Sequence, residues 1–418
     1  MRQLLANRTA RLYMAGQILS TFGDSALWLA LGIWIKMLTG SASAAGLSFF
    51  MFALGTLAGP AGGVLADRMR RRPLVIVTNL ATAAMVLLLL LVQDRGQVWL
   101  IYVVMFGYGL SAGVLGPAQT GLLQTVVPEE LLGDANSAMQ TAQWGLRLIT
   151  PLLGAGLLAA FGATPVIIGD VVTFLVAVAT LLALHVRDES PTPSEQHWLA
   201  EAAAGARHIR DTAALRQLTM VGALIMIVFG LSETTVFAVV SQGLHRPDAF
   251  LGVLISAQGA GAVAAGVTAA PLMRRLSEGL LVALGLAAAT VGFLLLTASS
   301  TPIVFVGAVL IGSSLPWITV GIMTLFQRRT PPELMGRTDA ALNLVLSIPQ
   351  TIAIATGAAL IAVMDYRTVL LGIASLAALS SAYLLTRPEQ RCSADIEPAR
   401  SSLTAPDGPA DTGDLAAS

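Results

Sequence analysis

The sequence lacks most of the side-chain chemistry that metal proteins and nucleic-acid-binding proteins need. Its single cysteine, Cys392, excludes an internal disulfide and a metal site built on several cysteines. The formal net charge of zero gives no general attraction to a nucleic acid, so we expect no nucleic-acid partner. The histidines all lie in or beside loops and cannot converge on a metal ion. These four are His185, His197, His208 and His245.

Motifs for nucleotide chemistry and catalysis are also absent from the sequence. No G-x-x-x-x-G-K-[S/T] loop is present, which excludes direct ATP-driven pumping by this chain alone. No nucleophile, metal ligand set or acid–base constellation is present either. We therefore expect a protein that is not an enzyme and that carries no cofactor.

Charge is scarce and apolar residues dominate. Only 11% of the residues are charged, 55% are hydrophobic, and the mean hydropathy is +0.76. Apolar runs near the length that crosses a bilayer recur from end to end. The first begins near Leu12, is too long for a signal-peptide core and has no small-residue cleavage site, so it is a retained span. The composition predicts an all-α membrane protein in contact with lipid.

We predict twelve transmembrane helices, six in each half of the chain. The spans of the first half cover residues 12–35, 44–66, 73–92, 98–122, 134–160 and 164–185. The spans of the second half cover residues 217–240, 249–272, 279–298, 302–326, 338–363 and 367–386. An even number of spans places both termini on the same side of the membrane.

The distribution of Lys and Arg predicts which side that is. Nineteen of the twenty-four Lys and Arg residues fall on the side of the termini, four fall on the other side, and Arg147 lies within a span. Since cytoplasmic loops are rich in Lys and Arg, both termini are expected to be cytoplasmic. The expected location is a cell membrane.

Four segments make up the predicted domain organisation. Residues 1–186 and 217–386 form six-helix bundles, and residues 387–418, rich in Ser, Ala, Pro and Asp, form a disordered cytoplasmic tail. Residues 187–216 form a cytoplasmic linker. Its stretch HWLAEAAAGARHIRD favours a short amphipathic helix on the membrane surface, and a merely solvated linker is the alternative.

The two halves carry an internal repeat. The stretch QTVVPEELLGDANSAMQ (124–140) matches QRRTPPELMGRTDAALN (327–343) at an offset of 203. A second match, at an offset of 206, aligns Gly46 with Gly252 and Arg68 with Arg274. Such duplication is how many transporters build a site on a pseudosymmetry axis. The repeat predicts two pseudosymmetric six-helix bundles.

One loop concentrates charge in an otherwise apolar chain. In GPAGGVLADRMRRRP (59–73), a single carboxylate, Asp67, precedes four arginines, which either anchor a membrane segment or belong to a moving gate. The stretch resembles the loop signature of the major facilitator superfamily, G-x-L-x-D-R-x-G-R-R, although Arg70 replaces the internal glycine of the family. The gate-motif positions that match are Gly63, Leu65, Asp67, Arg68, Arg71 and Arg72.

The resemblance extends over residues 10–386 and is most specific to one bacterial branch, which includes the macrolide-efflux and enterobactin-exporter-like proteins. It implies twelve helices in two bundles, alternating access, export driven by the proton gradient and a location in the bacterial inner (cell) membrane. The stretches that carry it are FGDSALWLAL, LTGSASAAGL, GPAGGVLADRMRRRPL and QTVVPEELLGDANSAMQ.

Three ionisable residues within spans are candidates for proton coupling or substrate binding. Asp24 lies roughly 19 Å of helix beyond Arg11, near mid-membrane, and Glu233 occupies almost the corresponding place in span seven. The resemblance implies that both spans line a central cavity. Either carboxylate could exchange a proton, bind a cationic group or be structural. Arg147 is the only cation deep in a span, and we expect it to pair with Asp24.

The other intramembrane features are weaker. TPLLGAG (150–156) partly resembles the proline-glycine motif of antiporters, with Pro151, Gly154 and Gly156 matching, and ordinary helix packing is the alternative. Span four carries no arginine, unlike many proton antiporters of the superfamily. Three further charged residues are expected at or near the membrane surface, Asp170 being hydrated there and Lys36 and Asp365 interfacial.

The resemblance also assigns a role to Asp67. In the family this aspartate contacts a helix N-terminus of the opposite half, where the helix dipole favours a carboxylate. We expect that contact at the start of span eleven, just after Gly336, where it would hold the cytoplasmic side closed. In the second half, Met273 stands where Asp67 would, so that loop keeps its arginines without the acid.

Together, these features predict a monomeric secondary transporter that exports a small amphipathic compound such as a drug, an antibiotic or a siderophore-like metabolite. Protons are the expected coupling ion. An importer or uniporter of the same fold is one alternative. A membrane receptor or assembly factor derived from a transporter is another.

Overall fold

The computed structural model of the chain describes residues 7–57, 59, 62, 65, 69–128, 131–184, 206–330 and 335–387. These residues contain twelve α-helices of fifteen residues or more and no β-strand. The helices are α1 (Arg8–Thr39), α2 (Ala42–Thr56), α3 (Arg71–Leu87), α4 (Val98–Val126), α5 (Leu132–Phe161), α6 (Ala163–Ala183), α7 (Ala213–Ala238), α8 (Phe250–Met273), α9 (Glu278–Leu295), α10 (Thr301–Arg329), α11 (Met335–Val363) and α12 (Tyr366–Thr386).

Each predicted span has a counterpart among these helices, and the all-α membrane fold is confirmed. Ten of the helices are long and apolar enough to cross a membrane. The other two, α2 and α5, have shorter apolar segments within the described residues, Ala42–Thr56 and Leu148–Phe161. Most predicted and observed boundaries differ by a few residues, as where α7 begins at Ala213 instead of residue 217. The largest difference is at α2, which ends at Thr56 where the prediction extended to residue 66.

Local signals explain where the first helices begin and end. The Asn7 side chain accepts hydrogen bonds from the backbone N–H groups of Thr9 and Ala10, which caps α1. Gly40 ends α1 in the left-handed conformation, at φ 71°, and Ser41 caps α2. The short connection between α1 and α2 therefore makes them a helical hairpin.

The helices pack as two sets of six with the same internal contacts. In the first half, α1 packs on α5 and α6, and α4 packs on α2 and α3. The equivalent helices of the second half do the same, since α7 packs on α11 and α12, and α10 packs on α8 and α9. Paired glycines at repeat-related positions bring α2 onto α4 and α8 onto α10. A Cβ atom at any of them would overlap the backbone of the partner helix. These glycines are Gly55 and Gly109 in the first half and Gly261 and Gly312 in the second.

The two halves meet along a seam formed mainly by α5 with α8 and α2 with α11. A Cβ atom at Gly252 of α8 would lie 2.6 Å from the Pro151 carbonyl oxygen of α5. The Ser43 hydroxyl of α2 donates to the Ala358 carbonyl of α11 at 2.6 Å. We term the end at which α1 begins and α12 ends the terminal end, and the other the opposite end. These contacts close the seam toward the opposite end.

Candidate functional site

Three adjoining cavities extend from the first half, through the space between the halves, into the second half. The first, of about 490 Å³, lies toward the terminal end of the first half, where Gln17 of α1 and Gln143 of α5 line it. The second, of about 450 Å³, lies between the halves. The third, of about 170 Å³, lies within the second half. Asp24 lines the first and second cavities, and Glu233 lines the second and third, so these predicted residues mark the two junctions.

Asp24 is held by a tyrosine on another helix. The Tyr108 hydroxyl of α4 donates to Asp24 Oδ1 at 2.6 Å, and both side chains line the first and second cavities. The hydrogen bond fixes the carboxyl group at the junction of the two cavities. Sequence reasoning selected Asp24 but missed Tyr108, because nothing in the FGYGLSAG stretch distinguishes this tyrosine from one at the membrane interface.

Asp170 contradicts the expectation of a hydrated residue near the surface. It is 1% exposed, and neither carboxyl oxygen has a hydrogen-bond partner among the described residues. The reason is its helical register, because Asp170, Thr173 and Thr180 share the face of α6 that packs on α1. That contact is close, since a Cβ atom at Gly23 would lie 2.7 Å from Asp170 Oδ1. Asp24 and Asp170 interact electrostatically, so two carboxyl groups occupy one buried region.

The position of Arg147 is described only through its backbone in α5. Its side chain lies outside the described residues, as does that of Trp144. The pairing of Arg147 with Asp24 therefore stays a prediction.

The three residues of the helix-five motif lie in different environments. Pro151 lies inside α5 and lines the second cavity. Gly154 lies against α1, where a Cβ atom would be 2.7 Å from the Ala26 carbonyl oxygen. A Cβ atom at Gly156 would meet nothing within 4 Å. Close helix approach thus accounts for Gly154 but not for Gly156.

The charged loop before α3 is only partly described. Gly63, Asp67 and Arg68 lie outside the described residues, and so does the predicted contact of Asp67 near the start of α11. Arg71 donates to the Gly121 carbonyl oxygen near the end of α4 at 3.1 Å. Arg72 donates to the Leu181 carbonyl oxygen in the last turn of α6 at 3.0 Å. Both arginines satisfy carbonyl groups near helix C-termini, where a cation is favoured.

The second half has a buried acid of its own next to the equivalent loop. Glu278 is 2% exposed in the first turn of α9, and Arg328 in the last turn of α10 donates to it. The alignment of the two repeats places Met273, not Glu278, at the position of Asp67, so sequence comparison missed this acid. Glu278 joins α9 to α10 at the terminal end, as Arg71 joins α3 to α4.

Lys36 is buried, whereas it was expected at the membrane interface. It is 5% exposed, forms an ion pair with Asp248 at 2.8 Å and donates to the Phe237 carbonyl oxygen at 2.6 Å. Both partners belong to the second half, which is why the sequence around Lys36 gave no sign of burial. Asp365, at the same end, is exposed and caps α12 by accepting from the backbone N–H of Arg367. The Lys36–Asp248 pair thus joins the halves at the opposite end.

Aromatic rings form much of the cavity walls and of the seam. Trp28 lines the second cavity and stacks on Phe49 with ring centroids 4.3 Å apart. Phe49 in turn contacts Phe237 of the second half at 5.7 Å. Trp317 instead donates to the Ala265 carbonyl oxygen at 3.1 Å and connects α10 to α8. Within the described ranges, no group of three or more His, Cys, Asp or Glu side chains could hold a metal ion.

Comparisons with known proteins agree with this architecture. The family model of the Major Facilitator Superfamily matches residues 13–354. Macrolide efflux protein A of Streptococcus pyogenes is 24% identical over 355 residues, which cover 81% of this chain and 86% of that protein. The protein of the same name from Enterococcus faecalis is 25% identical over 329 residues, covering 75% of this chain and 100% of that protein. A crystal structure of an auto-inhibited POT family peptide transporter has a TM-score of 0.72 at 14% identity, covering 94% of this chain and 99% of its own.

Proposed function

The chain belongs to the major facilitator superfamily, and from this membership we propose that it exports a small amphipathic compound in exchange for protons. The family establishes a multi-pass membrane transporter of small molecules that is not an enzyme. The relatives named macrolide efflux proteins support export of a drug or an antibiotic. A siderophore-like metabolite is the other substrate that we propose.

One observation carries the proposal of proton exchange. The buried carboxyl pair Asp24 and Asp170 lies beside Tyr108, and Asp24 faces both the first and the second cavity. Two carboxylates buried in one region with a single hydroxyl donor, that of Tyr108, are costly inside a membrane protein, so binding a proton at Asp24 relieves that cost and releasing it restores the cost. Protonation of a residue at a cavity junction can therefore be coupled to the conformational change that turns the cavity from one side of the membrane to the other.

Alternating access is supported by contacts that join the two halves at one end. Toward the opposite end the seam is closed by Lys36 with Asp248 and by Ser43 with the Ala358 carbonyl. We propose that these contacts break while residues 1–186 and 217–386 rotate as two bundles joined by the linker 187–216. Asp67 would then hold the terminal end closed in the other state. The protein acts as a monomer.

The excess of arginine at the terminal end supports a cytoplasmic location for both termini in the bacterial inner membrane. In that orientation the first cavity faces the cytoplasm, from which an exporter takes its substrate. Glu233, on the wall across from Asp24, would contact the substrate.

Uptake into inverted membrane vesicles tests this function. Radiolabelled erythromycin, a macrolide, should accumulate in vesicles with an acidic interior and should leave when the pH gradient is collapsed. Asp24→Asn should abolish gradient-driven accumulation, whereas the matched control Asp365→Asn, an acid outside the cavities, should keep it. Entry of a panel of amphipathic compounds only as far as equilibrium, without any dependence on the gradient, would instead indicate a uniporter, and binding without entry would indicate a receptor.

A further inference from the structure

Polar side chains of α1, α4 and α5 converge on the first cavity. On α1, Gln17 and Thr21 lie four residues apart and Asp24 follows three residues later, so all three share one face of the helix. Amide and hydroxyl groups are costly in a membrane-spanning helix unless they face water or a partner, so this face indicates a polar space. Four carboxamide side chains line that space. These are Gln17 on α1, Gln119 on α4, and Asn136 and Gln143 on α5.

The hydroxyl groups and the amides of the first cavity differ in what they bind. The Thr21 hydroxyl donates to the Gln17 backbone carbonyl at 2.9 Å, within its own helix. The Tyr13 hydroxyl donates to the Gln119 backbone carbonyl at 2.9 Å and joins α1 to α4. By contrast, no hydrogen bond among the described residues uses any of the four side-chain amides. Each amide therefore offers two N–H donors and one carbonyl acceptor to a molecule in the cavity.

The adjoining second cavity is mostly apolar. The rings of Trp28 and Phe52 lie on its walls, and Tyr108 and Ala112 line both cavities together with Asp24. A ligand can therefore extend from one cavity into the other. Both volumes, about 490 and 450 Å³, fall within the roughly 300–1,000 Å³ of small-molecule pockets. The two cavities together suit a molecule with one polar end and one apolar end.

We propose that the first cavity binds an uncharged, hydroxyl-rich end of the substrate, as in a glycoside, while the apolar end lies in the second cavity. A hydroxyl group can donate and accept at once, as an amide can, so a sugar can pair with several of the four amides. The inference rests on the proposed function, since it names the substrate class of the same cavities. It concerns equilibrium binding, which requires neither a direction of transport nor a coupling ion.

Binding of 2-naphthyl β-D-glucoside to the purified full-length protein tests the proposal. The protein is placed in nanodiscs without any ion gradient, binding is measured by equilibrium dialysis, and binding to empty nanodiscs is subtracted. The comparison compound is 2-methoxynaphthalene, which has the same aromatic group and no hydroxyl groups. One neutral hydrogen bond changes affinity about 2- to 12-fold, so two of them should make the glucoside bind about 5- to 150-fold more tightly than the ether.

Two outcomes of this comparison would overturn the proposal. Equal binding of the glucoside and the ether would show that the amides only hydrate the cavity. The third compound is 2-naphthyl β-D-glucuronide, in which a carboxylate replaces the hydroxymethyl group of the sugar. It should bind more weakly than the glucoside, because burying its charge is costly. Tighter binding of the glucuronide would show that the site selects an anion and not an uncharged group.

Variants of the amides locate the binding groups. Gln17→Met and Gln119→Met should each weaken glucoside binding about 2- to 12-fold and leave ether binding unchanged, and the double variant should weaken it about 5- to 150-fold. The matched control is Gln93→Met, an exposed glutamine at the opposite end that lines none of the three cavities. It should bind both compounds as the unmodified protein does. Thermal unfolding shows that each variant is folded, and equal weakening of both compounds would assign the amides a structural role and overturn the proposal.

The outcomes separate this inference from the proposed function. If the compounds and variants bind as predicted and vesicles show no gradient-driven uptake, the substrate class stands and proton-coupled export fails. If erythromycin uptake is gradient-driven but the glucoside binds no more tightly than the ether, the inference fails and export stands.

Discussion

Asp248→Asn should shift the protein away from the conformation in which the opposite end is closed. The ion pair of Lys36 with Asp248 joins the two halves at 2.8 Å, and the lysine side chain is only 5% exposed. Removing the acid leaves a buried ammonium group that keeps the Phe237 carbonyl as a hydrogen-bond acceptor. Once the halves separate, Lys36 regains water, so the variant penalises only the closed conformation.

The size of this shift follows from the chemistry of the lost contact. A hydrogen bond to a charged group contributes about 1.5–3 kcal/mol, which changes a conformational equilibrium about 10- to 150-fold. If the conformation open at the opposite end is a minor state of about 1%, its population rises to between about 10% and 60%.

Distances between spin labels at the opposite end measure that population. The labels are placed at Met37, at the end of α1, and at Val363, at the end of α11, because both side chains are exposed and lie on different halves. Cys392 is replaced by Ser so that no other cysteine reacts. Asp248→Asn should increase the fraction of molecules with a long distance between the labels, measured by pulsed electron–electron double resonance. Lys36→Met combined with Asp248→Asn should shift the distribution less, because no buried cation is left uncompensated.

The matched control is Asp365→Asn, the same substitution at the same end but within one half, where the acid caps α12. It should leave the distance distribution unchanged. Equal shifts in the two variants, or no shift with Asp248→Asn, would refute the idea that the ion pair stabilises the closed seam.

The remaining predictions concern tight helix contacts and the buried carboxyl group. Gly312→Ala should destabilise the protein by about 1–3 kcal/mol in thermal unfolding, because the added Cβ overlaps the Gln258 backbone. The control Gly156→Ala should be nearly neutral, because a Cβ atom there meets nothing within 4 Å. Asp170→Asn should keep or raise the melting temperature at pH 8, since a neutral amide replaces a carboxyl group that has no hydrogen-bond partner in the described part of the chain. A marked loss of stability would show that the ionised form is required.

The fold was predictable because its determinants are local or repeated. Long apolar runs place the helices, Asn7 and Gly40 fix the limits of α1, and the offset that aligns Gly46 with Gly252 also relates Gly55 to Gly261. The glycines of the second pair lie at equivalent helix contacts in the two halves. A duplicated sequence therefore predicts a duplicated bundle.

The candidate site was predictable only where one residue is unusual by itself. Asp24 and Glu233 stand out as acids inside apolar spans, and both line the cavities. Asp170 and Lys36 were misplaced because burial depends on which helix covers them, and those contacts come from residues far along the chain. A helical-face pattern of Asp170 with Thr173 and Thr180 was the available signal for Asp170.

Proton movement in reconstituted liposomes tests the central claim most directly. A pH-sensitive dye is enclosed in the liposomes, and the pH is the same on both sides at the start. A compound that accumulates in inverted vesicles is then added on one side. The unmodified protein should move protons against the direction of the compound. Asp24→Asn should move none and yet still exchange labelled for unlabelled compound, because exchange needs no net proton transfer. Proton flux in Asp24→Asn equal to that of the unmodified protein would contradict the assignment of Asp24 and its carboxyl partner as the coupling site.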